Sequence, residues 1–252
     1  AVSASKIASE RFFRQTGIPI PGTYPECRFP VIAKPSVGSG SDSIQVFSTI
    51  DALQQAIGPD PANRAWIVQS FLPGPTYSVE VLRAGKSLQV LQVTDLYMDK
   101  GFDCKRVSAP SALSSRVQNQ LSDLALSMAK ALYLQGIMDV EAVLHDGELN
   151  VLEIDARFPS QTPITVFWSS GVNMVEVLVK TALGEEASVL AEVSQPERGV
   201  VLEHIRVTPG RLGVTGEHGM AAAVGLQVQQ DFFGANEAIT DYSEGKEHWV
   251  AT

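Results

Sequence analysis

The sequence is short of the features that most directly betray a function. Of its 252 residues only two are cysteine, Cys27 and Cys104, standing 77 positions apart with no CxxC pair. That excludes a zinc ribbon and a disulfide-stapled scaffold. The four histidines, His145, His204, His218 and His248, show no HxxxH or HExxH spacing, which argues against a histidine metal site. No apolar run approaches the ~20 residues of a membrane-spanning helix, and no signal peptide is expected ahead of the first helical pattern. There is no block of Lys or Arg either. The 19 basic and 28 acidic side chains leave a net charge of −9, which speaks against nucleic acid or a membrane surface as partner. A reducing, cytoplasmic setting is the expectation. Neither G-x-G-x-x-G between a strand and a helix nor GxxxxGK[ST] occurs, so the two commonest glycine-rich nucleotide loops are missing.

What is present is ordinary globular composition, 44% hydrophobic and 19% charged, enough for a self-sufficient core. Residues 1–16 read as a helix with Ile7, Phe12 and Phe13 on its apolar face, stopped by Gly17, Pro19 and Pro21. A strand over 29–34 runs into a Gly/Ser loop and a second strand over 44–47, a hairpin pattern. Residues 49–57 read as a helix with Thr49 or Asp51 near its N-cap, and 66–71 as a strand broken by Pro73-Gly-Pro75. Strands follow over 78–82 and 88–93 around a Gly85 turn. Residues 114–134 carry a helical stripe of Val117, Leu121, Leu124, Met128 and Leu132, with Gly136 as its stop. Strands over 138–144 and 150–154 flank the turn at His145-Asp-Gly-Glu148. A helix over 173–183 is closed by Gly184, a linker follows over 192–197, and short strands fill the remainder. The expected fold class is therefore α+β, a small α+β lid followed by a larger antiparallel α+β body. The expected divisions are 1–25 for an entry helix and linker, 26–75 for the lid, 76–191 for the body and 192–252 for a β-rich extension.

Three segments carry chemistry. Alternation along a strand puts Glu153, Asp155 and Arg157 on one face, with Leu152 and Ile154 on the other. The hairpin returns Glu141 beside that row, with Asp139 two residues behind. Carboxylates this close repel one another, and a bound Mg²⁺ would remove the conflict by taking carboxylate and phosphate oxygens together. The same residues also suit a solvated face of mixed charge with Arg157 paired to Asp155. The second segment is Lys34 at a strand end, followed by Ser36, Gly38, Ser39, Gly40 and Ser41. Its glycines let backbone approach a ligand, its hydroxyls donate, and Lys34 supplies a point charge for phosphate; a flexible hairpin tip is the plainer alternative. In the third, Gln69-Ser70-Phe71-Leu72, a strand ended by prolines exposes backbone groups that can read a base edge, or is simply a strand exit.

In this order the segments resemble the ATP-grasp superfamily of carboxylate–amine ligases. The matching text is Ser5-Lys6 with Gly17-Ile-Pro-Ile-Pro21, Lys34-Pro-Ser-Val-Gly-Ser-Gly-Ser41, Gln69 to Glu80, Gly136-Ile-Met-Asp-Val-Glu141 and Leu152-Glu-Ile-Asp-Ala-Arg157. The resemblance implies the ATP-grasp fold, with ATP and Mg²⁺ or Mn²⁺ as cofactors and an acyl-phosphate route to an amide. It implies Lys6 and Lys34 on the phosphates, residues 36–43 as a lid over them, and the Ser70 carbonyl and Leu72 amide, with Gln69 and Phe71 beside them, at the adenine. Glu141, Glu153 and Asp155 would be metal ligands, with Arg157 and Lys34 facing the phosphoryl group in flight. The text from Glu153 to Pro163, Val201-Leu-Glu-His-Ile205 and Gly216-Glu-His218 are similar to a branch joining two amino acids. That implies small amino-acid substrates, with Ser78 and Glu80 at the amine groups and Asp139 and Arg106 as further substrate contacts. The sequence assigns no oligomeric state. Asp155 stands where the family usually has Asn, Ser43 where a glycine is common, and Thr76 where many members place a ribose-binding Glu. Family members also carry a nucleotide-fold subdomain ahead of the Lys6 helix, and this chain is expected to lack it. A dipeptide ligase, a carboxylase and a non-catalytic ATP-binding module are the alternatives on the same fold.

Overall fold

The computed structural model describes residues 2–38, 41, 43–61, 65–185 and 198–252. The linker expected over 192–197, and Ser39 and Gly40 of the Gly/Ser loop, lie outside the described residues.

Helix α1 (Lys6–Thr16) starts at Ser5, whose extended backbone (φ −150°, ψ 125°) breaks the helix expected from residue 1, so Val2–Ala4 forms a separate 3₁₀ turn. The Ser5 hydroxyl accepts from the Ala8 N–H at 3.4 Å, and Gly17 closes the helix in the left-handed region at φ 70°. Strand β1 (Val31–Pro35) pairs antiparallel with β2 (Gln45–Phe47) on one side and β3 (Trp66–Ser70) on the other. Helix α2 (Ile50–Ile57), capped by Thr49, lies between β2 and β3 in sequence. Val31, Ala33, Phe47 and Val68 bury against Leu53 and Ile57 of α2. Alternation along β1 therefore turns Ile32 and Lys34 to the opposite side.

The central sheet runs β8-β7-β4-β5-β6-β9, all antiparallel. Its strands are β4 (Thr76–Ala84), β5 (Ser87–Met98), β6 (Cys104–Ala109), β7 (Gly136–His145), β8 (Glu148–Asp155) and β9 (Val200–Glu203). Helix α3 (Ser115–Ala131) covers one face together with α1. Val79, Val81, Met138, Val140, Val151 and Ile154 meet Phe13, Leu121, Ala125 and Met128 there. Each fully buried side chain of this size contributes about 1.5–3 kcal/mol. Toward one end of the opposite face, α4 (Thr162–Ser170) and α5 (Met174–Ala182) cover Leu82, Ala84 and Ile137 with Val166, Met174 and Val177. A second, five-stranded sheet, β11-β10-β14-β13-β12, follows. It consists of β10 (Ile205–Thr208), β11 (Arg211–Val214), β12 (Gln227–Phe232), β13 (Ala235–Thr240) and β14 (Trp249–Ala251), with the short α6 (His218–Ala221) between β11 and β12. No helix among the described residues is long and apolar enough to cross a membrane.

Two expectations shift. The long helix ends at Ala131, and Gly136, at φ +87°, opens β7 instead of closing α3. Strand β6 and helix α4 went unread. The latter is built from Thr, Ile, Val, Phe and Trp, residue types that score as strand formers, and becomes helical behind Pro163 in its first turn.

The turn joining β3 to β4 carries Gly74 against β7, where a Cβ would sit 2.2 Å from the Leu144 carbonyl oxygen. We expect Gly74→Ala to lower the urea midpoint by the equivalent of about 1–3 kcal/mol, with the m-value unchanged.

Candidate active site

The face of the central sheet left open by α4 and α5 carries two transverse rows of polar side chains. Register puts Glu80 opposite Asp139 and Asp139 opposite Asp155; one step along, Ser78 faces Glu141 and Glu141 faces Glu153. Cross-strand neighbours have Cβ atoms about 4.5–5.5 Å apart, so five carboxylates are crowded into a few square nanometres or less. A bulge in β8 makes this possible. Glu141 pairs with Glu153 but Ala142 pairs with Val151, so Leu152 is the extra residue. Leu149 and Val151 point into the α3 core, and so does Ile154, an odd-to-even switch of parity across the bulge. Glu153 and Asp155 share a face opposite Ile154, as expected. Leu152 departs from the expected alternation and lines the cleft with the acids.

The cleft, about 320 Å³, lies between this face and the open side of the small sheet. Lys6, Lys34, Gly38 and Ser41 line it from the lid side, and Gln69, Ser70, Phe71 and Leu72 form its edge. Glu141, Glu153, Asp155 and Arg157 line it from the sheet. Lys6 Nζ reaches both the Gly38 carbonyl and Glu153, each at 2.9 Å, and Ser41 Oγ donates to the Phe102 carbonyl at 2.5 Å. Arg157 pairs with Asp155 at 2.5 Å. Thr76 also lines the cleft, and Ser43 holds φ +60°, where a glycine would carry no steric cost. Ser36 does not face the cleft contents. It is buried, its hydroxyl 2.7 Å from Ser5 Oγ and its carbonyl accepting from the Lys6 N–H, which ties the lid to α1.

A smaller adjoining cavity of about 60 Å³ is lined by Ser78 and Asp139, together with Gln161 and Thr162. Glu80 lies fully buried beside Ser78, whose hydroxyl donates to Oε1 at 3.1 Å, while Oε2 has no partner. Asp139 Oδ1 is likewise unpartnered. Arg106 lines neither cavity. It sits across from Tyr97, one step along from the cavity-lining pair Leu96 and Val107, and alternation sends it to the reverse face. There it pairs with Glu203 and lies over the Tyr97 ring at 5.4 Å. Sequence reading missed Ile32, Ile44 and Met98, apolar walls of the main cleft alongside Val143 and Leu152, and the acid Asp103; Glu217 it quoted only as part of Gly216-Glu-His218, with no role. The β1 alternation was signal enough for Ile32; Met98 and Asp103 flank the unread β5–β6 turn.

Burial dominates the electrostatics. It pushes Glu141 up to about 7, with Glu153 adding to the effect and Lys34 opposing it. Burial likewise lifts Glu80 to about 7, offset in part by neighbouring hydroxyls. Asp139 is raised well above the usual carboxylate range by burial, then by Glu141 and Glu80. Lys34 is pulled down by burial, against the charges of Glu153 and Glu141. Among the described residues no three acidic, histidine or cysteine side chains form a ready metal cage; Glu153 is held by Lys6 and Asp155 by Arg157. The donor chemistry still fits a hard divalent cation. All the donors are carboxylate oxygens on cross-strand neighbours, and their mutual repulsion is what such a cation relieves.

The lid, the antiparallel sheet with its acid rows and the cleft between them define a class. The family profile of the ATP-grasp domain matches residues 3–161, and the chain belongs to that family. It is 34% identical over 228 residues to a 3-methyl-D-ornithine–L-lysine ligase of Methanosarcina acetivorans, a match covering 90% of this chain and 56% of the relative. The enzyme of the same name from Methanosarcina mazei is 32% identical over 229 residues, covering 90% and 55%. The chain thus spans about half the length of the curated relatives it matches. Among solved structures it superposes on an L-amino acid ligase from Bacillus licheniformis with a TM-score of 0.67 at 19% identity, over 99% of this chain and 66% of that one. The biotin carboxylase domain of Hydrogenobacter thermophilus 2-oxoglutarate carboxylase gives 0.70 at 16% identity, over 100% and 62%. At these identities the structures share the fold.

Because Glu80 has a folded value above its ordinary 4.5, folding favours its protonated form. The stability this group lends is full below pH 4.5 and is lost as pH rises through about 7. We expect the ligand-free chain to lose stability over that window and Glu80→Gln to flatten the loss, by on the order of 3 kcal/mol at pH 8, read from urea unfolding as a function of pH.

Proposed function

We propose that the chain is the catalytic part of an ATP-dependent ligase that activates an amino-acid carboxylate as an acyl phosphate and joins it to an amine. The substrates we assign are 3-methyl-D-ornithine and the side-chain amine of L-lysine, a step in pyrrolysine biosynthesis. One observation carries the reaction class: Lys6 and Lys34 face Glu141, Glu153, Asp155 and Arg157 across a single cleft. The identity of 31–34% to three ligases of that name, over 90% of the chain, supports the substrates.

A carboxylate is a poor electrophile, and an amine does not displace its oxygen at neutral pH. Transfer of the γ-phosphoryl group of ATP to the carboxylate makes phosphate the leaving group and releases ADP. The amine then attacks the acyl carbon, expelling phosphate and shedding a proton as the amide forms. The protein's work is positioning and charge neutralisation. Lys34, stripped of water inside the lid, and Lys6 beside it place positive charge on the phosphates; Arg157 faces the group in transfer. A divalent ion, Mg²⁺ or Mn²⁺, held by Glu141, Glu153 and Asp155 would offset the remaining phosphate charge. The Ser70 carbonyl and Leu72 amide at the cleft edge read the base between the apolar walls of Ile32, Met98 and Leu152. Ser41, bonded to the β5–β6 turn, holds the lid down so that water does not consume the acyl phosphate. Ser78 and Asp139, backed by Glu80, receive the donor's ammonium groups in the smaller cavity.

The test combines calorimetric titration of ATP with and without Mg²⁺ and coupled ADP release over carboxylate–amine pairs, D-ornithine with L-lysine first. Metal-dependent ATP binding and ADP release driven by that pair are expected, with Arg157→Ala and Glu153→Gln slowing release about 10²–10³-fold. Bicarbonate-driven release would make the chain a carboxylase. Binding without release on any pair would make it a nucleotide-binding module.

A further inference from the structure

The segment Thr215–Gly219 lies far along the chain, beyond the matched ATP-grasp residues 3–161, yet delivers a side chain into the cleft. It is fastened to the β5–β6 corner. The Glu217 N–H donates to the Cys104 carbonyl at 3.0 Å, and the His218 N–H and Nδ1 both meet Asp103 Oδ2 at 2.9 Å. Gly216 packs so tightly on Asp103 that a Cβ there would fall 2.0 Å from its carboxylate oxygen. These backbone and side-chain bonds hold the segment on the corner and place Glu217 at the cleft.

That side chain, Glu217, ends beside the wall shared by the two cavities. Ser160 and Gln161 line both of them, and Gln161 Nε2 donates to Glu217 Oε2 at 2.8 Å, with Ser160 Oγ at 3.3 Å. These are neutral donors, and among the described residues no cation pairs with Glu217 within 4.0 Å. One further observation points to a ligand here. Gln161 Oε1 is buried with no partner, on the residue that holds Glu217 and lines both cavities. An acceptor left unmet in a buried place is costly, and a multiply donating cation is what would satisfy it. The Glu217 carboxylate itself, met only by neutral donors, attracts an ammonium group.

We propose that Glu217, held in place by Gln161, binds the ammonium group of the incoming amine substrate and so selects a cationic amino acid as acceptor. This rests on the ligase reading above. It adds a specificity residue supplied from outside the matched domain, distinct from the donor contacts at Ser78, Glu80 and Asp139.

The probes are L-lysine and L-norleucine, titrated calorimetrically into the chain held with Mg²⁺ and a non-hydrolysable ATP analogue. We expect lysine to bind and norleucine to bind more weakly. Glu217→Gln should weaken lysine about 10–100-fold, as loss of a charge-assisted contact does, while leaving analogue affinity within twofold. Glu217→Asp should restore part of the loss, and circular dichroism of both variants should match the parent. Unchanged lysine affinity in Glu217→Gln, an equal loss of lysine and analogue, or no lysine binding to the parent chain overturns the assignment. Absence of metal-dependent ATP binding in the parent would instead overturn the ligase reading itself.

Discussion

Mutual repulsion among Glu80, Asp139, Glu141, Glu153 and Asp155 is the constraint to which the rest of the cleft responds. Hydrogen-bond register, not choice of rotamer, brings these groups together, so they cannot drift apart without unzipping β4, β7 and β8. Three cations answer them, Lys6 and Arg157 by direct contact and Lys34 through its field. Three cations against five acids leave the face short of positive charge. Burial, the larger effect, makes Glu80, Glu141 and Asp139 hold their protons more tightly, and neighbouring acids add to it at Glu141 and Asp139. Such an arrangement is expensive for a structure with nothing to bind, and perturbed carboxylates gathered in a cleft are the physical mark of a working site.

Lys6 shows how the two walls communicate. It stands at the start of α1, contacts the Gly38 carbonyl on the lid and Glu153 on the central sheet, and its own N–H is bound to Ser36. One residue thus links three elements that are distant in sequence. On the far side the lid meets the β5–β6 turn through Ser41, and that turn is in turn braced by His218 on Asp103. Gly38 and Ser41 are thus tied to opposite walls of the cleft, one through Lys6 and the other through Phe102.

Much of this was legible in the residues. The Asp146-Gly147 turn, with φ of 50° and 83°, set the β7–β8 hairpin, and the period of two along β1 put Lys34 beside Ile32 and opposite Val31 and Ala33. The acids of the two rows follow from the same arithmetic. What escaped depended on distance along the chain. Glu217 reaches the cleft through backbone bonds to β6, a strand whose Cys-Lys-Arg-Val-Ser-Ala text has no clear alternation. Arg106 was misplaced for the same reason: without β6 there was no parity to say which face it would take. Ile32, Ile44 and Met98 were missed because a hydrophobic residue beside a ligand reads like any core residue.

The extra residue at Leu152 has a consequence for how the hairpin finds its pairing. Up to Val151 the odd positions of β8 seek the helix-covered side; from Ile154 onward the even ones do. Were the bulge ironed out with Val151 kept in place, Glu153 and Asp155 would be driven in among leucines and methionines. Mispairing is therefore penalised by the very groups the strand exists to display, and the charges that make the cleft useful also act as the chain's check on its own assembly.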